Sequence, residues 1–259
     1  MGAFWARAGI AAALTAPGVD PPMQRGAMGD HTAGMTLAGG ISAALLAREK
    51  SGRGQLVTTS LLRVGLFVLG WDTNACVRLG IKATPMVRNE SPNPVITPYR
   101  GGDGKWFWLL GLQGQRHWPD LVRAIGRPEW REDPRFATMR ARRDNVGELV
   151  ALMDAIFATE PAAEWGRRFD AAGMWWAPVQ TTTEVVDDPQ VHAAGGFVDV
   201  PQADGTTAPG VATPVDFSDT PWAPGGPSPE CGQHTEEILL DLGFDWEAIG
   251  GLKERGAIP

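Results

Sequence analysis

Hydrophobic and polar positions divide the chain into a helical opening, a mixed middle and a looser end. Residues 4 to 16 read as a helix or helix-like turn, stopped by Pro17-Gly18. A proline-containing loop, Val19 to Met28, leads into a long helical stretch that ends near Gly52 and Gly54. Gln55 to Thr59 reads as extended. Ser60 can cap a second helix from Leu61 to about Leu79, with Leu62, Leu66 and Leu69 on its buried side. Lys82 to Pro94 reads as a loop. A hairpin follows: Val95 to Arg100, a turn at Gly101-Gly102-Asp103-Gly104, then Lys105 to Gly111. Trp106 and Trp108 share one strand face, and core packing is the reading their type favours. Trp175 and Trp176 read the same way. Helices are expected near Trp118 to Ile125, Val146 to Thr159 and Ala162 to Ala172, with Gly126 and Gly173 stopping two of them. A short helix is expected near Thr183 to Val186, and strands between Gly196 and Ser218 around Asp204-Gly205. Pro221 to Pro229 holds four prolines and reads as an extended linker, before last helices at Thr235 to Leu242 and Trp246 to Leu252.

The long helical stretch is the odd one. Gly34, Gly39 and Gly40 lie inside it, and together they cost about 3 kcal/mol against alanine. Asp30, Gly34 and Ala38 fall on one face at spacings of four. A face so small lets another backbone or a ligand come close. Asp30 sits where an N-cap belongs, able to accept from the amides two and three residues on. Capping and the helix dipole both favour its ionised form. Gly29 leaves that carboxylate open to approach.

Charge and composition narrow the chemistry. The formal net charge is −7, against nucleic acid as the main partner. Arg135, Arg140, Arg142 and Arg143 cluster, and a solvated helix start fits them better than a phosphate or partner contact. Two cysteines, Cys76 and Cys231, lie far apart and give no zinc spacing, which fits a reducing compartment. His31, His117, His192 and His234 show no metal spacing. Adjacent helix residues point apart, so His31 has a structural reading beside its place next to Asp30. His234 belongs to the start of a helix. No G-x-S-x-G elbow and no G-x-G-x-x-G turn occurs. No apolar run reaches membrane-spanning length. The start mimics a short signal peptide, but its apolar core, Ile10 to Ala16, is marginal and Arg7 is its only charge.

The run MGDHTAGMTLAGGISAALLAREKSGRGQ, Met28 to Gln55, resembles the signature of the class III CoA-transferases, the family of formyl-CoA transferase, carnitine CoA-transferases and α-methylacyl-CoA racemase. The resemblance continues through PNPVITPYRGGDGKWFWL, GRPEWREDPRF and GQHTEEILLDLGF, over nearly the whole chain. It implies that Asp30, the acid of the glycine–aspartate pair, is catalytic. It implies Gly29, His31 and Gln113 around the substrate, and Phe4 on the coenzyme side. Gln113 could orient a substrate or donate to an oxyanion, though a surface loop amide reads equally well. The racemase branch resembles a Glu there, and its partner histidine would fall just before Met1. The reaction implied is transfer of CoA from an acyl-CoA thioester to a free carboxylic acid through an aspartyl anhydride and thioester. A racemase-like acid/base enzyme and an inactive or partner-dependent fragment are the alternatives. No metal or redox cofactor is implied; CoA is the carrier substrate.

The resemblance also sets expectations of architecture. The fold class expected is the family's α/β fold, here as a truncated α+β chain. It would comprise a helical remainder of the large domain at residues 1–80, a small α+β domain at 81–200, and a linker and C-terminal return at 201–259. No βαβ-rich first half is present, so the chain is expected to correspond to the C-terminal part of a family member. It would then form a homodimer or associate with a missing N-terminal half. A cytoplasmic location is expected, without membrane or nucleic-acid partners.

Overall fold

The computed structural model describes residues 2–259. They form two compact units, divided in sequence between Val179 and Gln180. Each is mixed helix with a small antiparallel sheet.

The first unit opens with a π-helical turn at Gly2–Arg7 and the short helix α1 (Ile10–Ala13). Helices α2 (Met28–Ser51), α3 (Leu61–Val68) and α4 (Gly70–Leu79) follow. Phe4, Ile10 and Val64 form a small buried cluster, joined by Trp5, Ala33, Leu61 and Leu69. Gly65 makes this possible: a Cβ there would stand 2.6 Å from that of Ala8 and 2.7 Å from the Phe4 carbonyl oxygen. The helix expected over Leu61 to Leu79 is thus two. Leu69 leaves helical geometry at φ −89°, ψ 20°, with its side chain against the cluster, and the glycine after it makes the bend cheap. The buried face of α3 is Val64 and Gly65, while Leu66 is exposed, because the π-helical turn approaches from the side where the small residue lies. Ser60 caps α3 as expected, its Oγ accepting from the Arg63 amide at 3.2 Å.

The larger core of this unit sits between a three-stranded sheet and four helices. Strands β1 (Pro98–Arg100), β2 (Trp106–Leu109) and β3 (Trp176–Pro178) run antiparallel in that order. Helices α5 (Gly114–Ala124), α6 (Met139–Asp144), α7 (Val146–Phe157) and α8 (Ala162–Ala172) accompany them. Tyr99 faces Phe107 across the β1–β2 pair, and both are fully buried with Phe157, Trp165 and Phe169. The Tyr99 hydroxyl donates to the Pro94 carbonyl at 2.8 Å, and burial drives its phenol far above the ordinary range, so it remains a donor. Period-two alternation then turns Trp106 and Trp108 outward, 39% and 40% exposed. Core packing was the expectation for both; the inward places on β2 are taken by Phe107 and Leu109. Trp176 is partly buried over Gly166, where a Cβ would stand 2.2 Å from the indole.

The second unit holds α9 (Thr182–Val186), α10 (Pro189–Ala193), the hairpin β4 (Phe197–Pro201) to β5 (Thr207–Val211), α11 (Thr235–Asp241) and α12 (Trp246–Glu254). Asp204 and Gly205 turn the hairpin, Gly205 at φ 82°. Residues 212–234, which include the proline-rich stretch, carry no helix or strand.

Candidate active site

The turn into α2 is held from two sides. The Trp5 indole N–H donates to the Pro22 carbonyl at 2.8 Å, tying the incoming loop to the π-helical turn. Gly29 is the buried residue of α2, and a Cβ on it would stand 2.8 Å from Phe4 Cγ. The absence of a side chain therefore lets the Phe4 ring press under the first helical turn. Phe4 itself is 4% exposed and offers little surface to a coenzyme; here it supports the helix.

Asp30 lies inside the first turn of α2 and is not its N-cap, which corrects the sequence expectation. The helix begins at Met28 because Ala27 adopts a left-handed conformation, φ 63°, and its carbonyl accepts from the His31 amide at 2.8 Å. Ala27 is the one non-glycine residue with positive φ among the described residues. Such strain costs about 1–2 kcal/mol and needs surroundings that hold it in place. Asp30 is exposed, no hydrogen bond takes up its carboxylate among the described residues, and it stands at the positive end of the helix dipole. The hydroxyls of Thr32, Thr36 and Ser42 bond back to carbonyls four residues earlier. The small face Gly34, Ala38 and Ser42 is open to solvent.

His31 is exposed on the same turn. Gln113 stands immediately before α5, where its Oε1 accepts from Arg116 Nη1 at 3.1 Å. No hydrogen bond joins it to Asp30 among the described residues. The structure thus puts Gly29, Asp30 and His31 in one turn, packs Phe4 of the π-helical turn beneath Gly29, and sets Gln113 on another element.

The arginine cluster is not one patch. Arg142 is 1% exposed, against the solvated reading. It donates to the carbonyls of Phe136 and Gly114 and to Gln115 Oε1, and lies 4.6 Å over the Trp118 ring. Helix α6 turns it inward because carbonyls at the loop ends there need a donor. Burial pushes its guanidinium down to about 10, still charged at neutral pH. Arg135 pairs with Asp133 and Glu148 at the surface. Sequence reasoning also missed the strained Ala27 and the outward pair of tryptophans. Alternation in Trp106-Phe107-Trp108-Leu109 carried a signal for the second; alanine gives none for the first. Among the described residues no group of three or more His, Cys, Asp or Glu side chains could hold a metal ion.

Comparison with known proteins shows the family. Residues 2–235 match the family described as CoA-transferase family III, and the chain belongs to that family. It is 29% identical over 256 residues to the (R)-2-hydroxy-4-methylpentanoate CoA-transferase of Clostridioides difficile, covering 99% of this chain and 64% of that protein. It is 31% identical over 280 residues to a formyl-CoA:oxalate CoA-transferase of Escherichia coli, covering 97% and 65%. Among solved structures, a CAIB/BAIF family protein from Brucella suis superposes with a TM-score of 0.76 at 26% identity, over 92% of this chain and 61% of that one. The chain therefore spans a little under two thirds of the length of these relatives. Among the described residues no helix is long and apolar enough to cross a membrane.

Proposed function

We propose that this chain contributes the nucleophile of a CoA transfer between an acyl-CoA thioester and a free carboxylic acid. The observation that carries this reading is Asp30 itself: an exposed, unengaged carboxylate on a braced first turn, inside the family match. Its oxygen attacks the thioester carbonyl, the C–S bond breaks, and CoA leaves as thiolate from a mixed anhydride. The thiolate attacks the aspartyl carbonyl, releasing the donor acid and leaving an aspartyl–CoA thioester. The acceptor carboxylate then attacks this thioester, and the returning thiolate takes the acceptor's acyl group, freeing Asp30. CoA is carrier and substrate, and the steps require no redox group. Gly29 gives access, and His31 and Gln113 are assigned to orienting substrate.

The exposed face of α2 supports a second element of the reading. Another polypeptide surface completes the site, either a second copy of the chain or a surface like the part of the relatives that the match does not span. We place the reaction in the cytoplasm, consistent with free Cys76 and Cys231. The test is transfer by Asp30→Asn, which keeps size and hydrogen-bonding capacity but is a poor nucleophile. Activity should fall at least a thousandfold with the circular dichroism spectrum unchanged; transfer at the parent rate would overturn the assignment.

A further inference from the structure

The outward face of the β1–β2 pair carries chemistry that transfer at Asp30 does not use. Register sets Arg100 directly across from Trp106 and Pro98 across from Trp108. The turn joining the strands is drawn down onto the α7–α8 connection. The Gly102 amide donates to the Glu160 carbonyl at 2.8 Å, and a Cβ on Gly102 would stand 2.5 Å from the Ala158 carbonyl oxygen. Between this turn and α7 opens a cleft of about 530 Å³, lined by Arg88, Arg100, Trp106, Asp154 and the backbone of the glycine turn.

The charges in this cleft do not cancel. Arg88 pairs with Asp154 at 2.5 Å, and its guanidinium lies 5.1 Å from the Tyr99 ring centroid and 5.4 Å from that of Trp106. Arg100 uses its Nε on the Gly104 carbonyl at 3.0 Å. Its two Nη groups have no acceptor among the described residues. Gly104, at φ 81°, lets the guanidinium lie along the turn, since a Cβ there would stand 3.1 Å from Arg100 Nη2. Two guanidinium groups thus face one carboxylate, beside an indole with open surface. A guanidinium fork matches the oxygens of a carboxylate or phosphate, and an indole takes a planar ring by stacking. A neutral ring or a bare anion would satisfy only half of the arrangement.

We propose that this cleft binds a small planar aromatic anion, its ring against Trp106 and its anionic oxygens on Arg100. An aryl carboxylate and a purine nucleotide share that chemistry. The cleft has no residue in common with the turn that bears Asp30, so the proposal stands apart from the transfer reading. Calorimetric titration of the whole chain with benzoate and with adenosine 3′,5′-bisphosphate tests it, with adenosine and inorganic phosphate as half-ligands. Saturable binding of at least one aromatic anion is expected, and the stronger of the two identifies the source. Each half-ligand should bind at least tenfold more weakly, and rising salt should weaken the anion. Trp106→Ala and Arg100→Gln should each cost at least tenfold, whereas Arg140→Gln, far out in solvent, should cost nothing. Arg100 is exposed, so Arg100→Gln keeps its fold even if the tryptophan variant does not. No saturable binding by either anion, equal binding of a half-ligand, or undiminished affinity in Arg100→Gln would overturn the proposal.

Discussion

At the scale of single residues, the candidate site depends on what is missing at one position, what fills the space at a second and what is forced on a third. Gly29 has no side chain, and Phe4 fills the space beneath it. Phe4→Ala should therefore lower stability by about 3 kcal/mol in a denaturant titration, as for a buried aromatic ring left as a cavity. A Phe4 that only touched coenzyme would leave stability unchanged. Ala27 is forced into the left-handed region. Ala27→Gly should relieve that strain and stabilise the chain by about 0.5–1 kcal/mol, less than the full strain because glycine also frees the unfolded chain. A destabilised variant would mean that Ala27 is not strained. Asp30 stands out in the sequence as the candidate because its neighbours form a long motif from Met28 to Gln55. Its place within the helix was not legible, since aspartate serves equally as an N-cap and as a first-turn acid. Arg142 was misread for a related reason. Four arginines close in sequence carry no sign of which one turns inward.

At the scale of elements, close backbone approaches set the packing. Gly65→Ala drives a methyl group into Ala8 and the Phe4 carbonyl, and should cost about 1–3 kcal/mol by overpacking. Thermal denaturation reads this directly, and an unchanged midpoint would mean that the π-helical turn yields freely. In the β4–β5 hairpin, the Thr206 hydroxyl at 2.7 Å and the Thr206 amide at 3.0 Å both donate to Asp204 and hold its carboxyl below the usual range. A folded value lower than the unfolded one means that the turn is stabilised above about pH 4 and loses that support as pH falls through the lowered value. An NMR titration of the Thr206 amide should show its midpoint below that of a free aspartate, and Thr206→Val should raise it. A midpoint above the free value would contradict the bonding described. Long periodic helices such as α7 and α8 could be read from the sequence nearly to the residue, whereas the two hairpins could be placed by their turns but have shorter strands than expected. Strand β3 could not. It has three residues, one of them proline, and exists only because β2 offers a free edge to pair with. The break at Leu69 was hidden because its cause, the π-helical turn packed on Gly65, lies some sixty residues away along the chain.

At the scale of the whole molecule, much exposed apolar surface lies on helices α2, α3 and α4. Phe67 and Trp71 are 84% and 88% exposed, and Met35, Ile41, Leu46 and Leu79 are open as well. So much apolar surface in water favours association. Sedimentation velocity should show mass rising with concentration, and Phe67→Lys with Trp71→Lys should abolish the rise; a monomer at every concentration would contradict the completed-site reading. The central claim, that Asp30 is acylated during transfer, makes a prediction about oxygen atoms. When the acceptor carboxylate attacks the aspartyl thioester, its oxygen becomes the bridge of the new anhydride and stays on Asp30 as CoA departs with the acyl group. The direct measurement is turnover with an acceptor acid carrying heavy oxygen in its carboxylate, followed by mass spectrometry of the peptide that contains Asp30. Heavy oxygen should appear in the Asp30 side chain, and in no other carboxylate of the chain, within the first few turnovers and at no more than the two oxygens that the carboxylate holds. Full transfer to the acceptor with Asp30 left unlabelled would contradict the account.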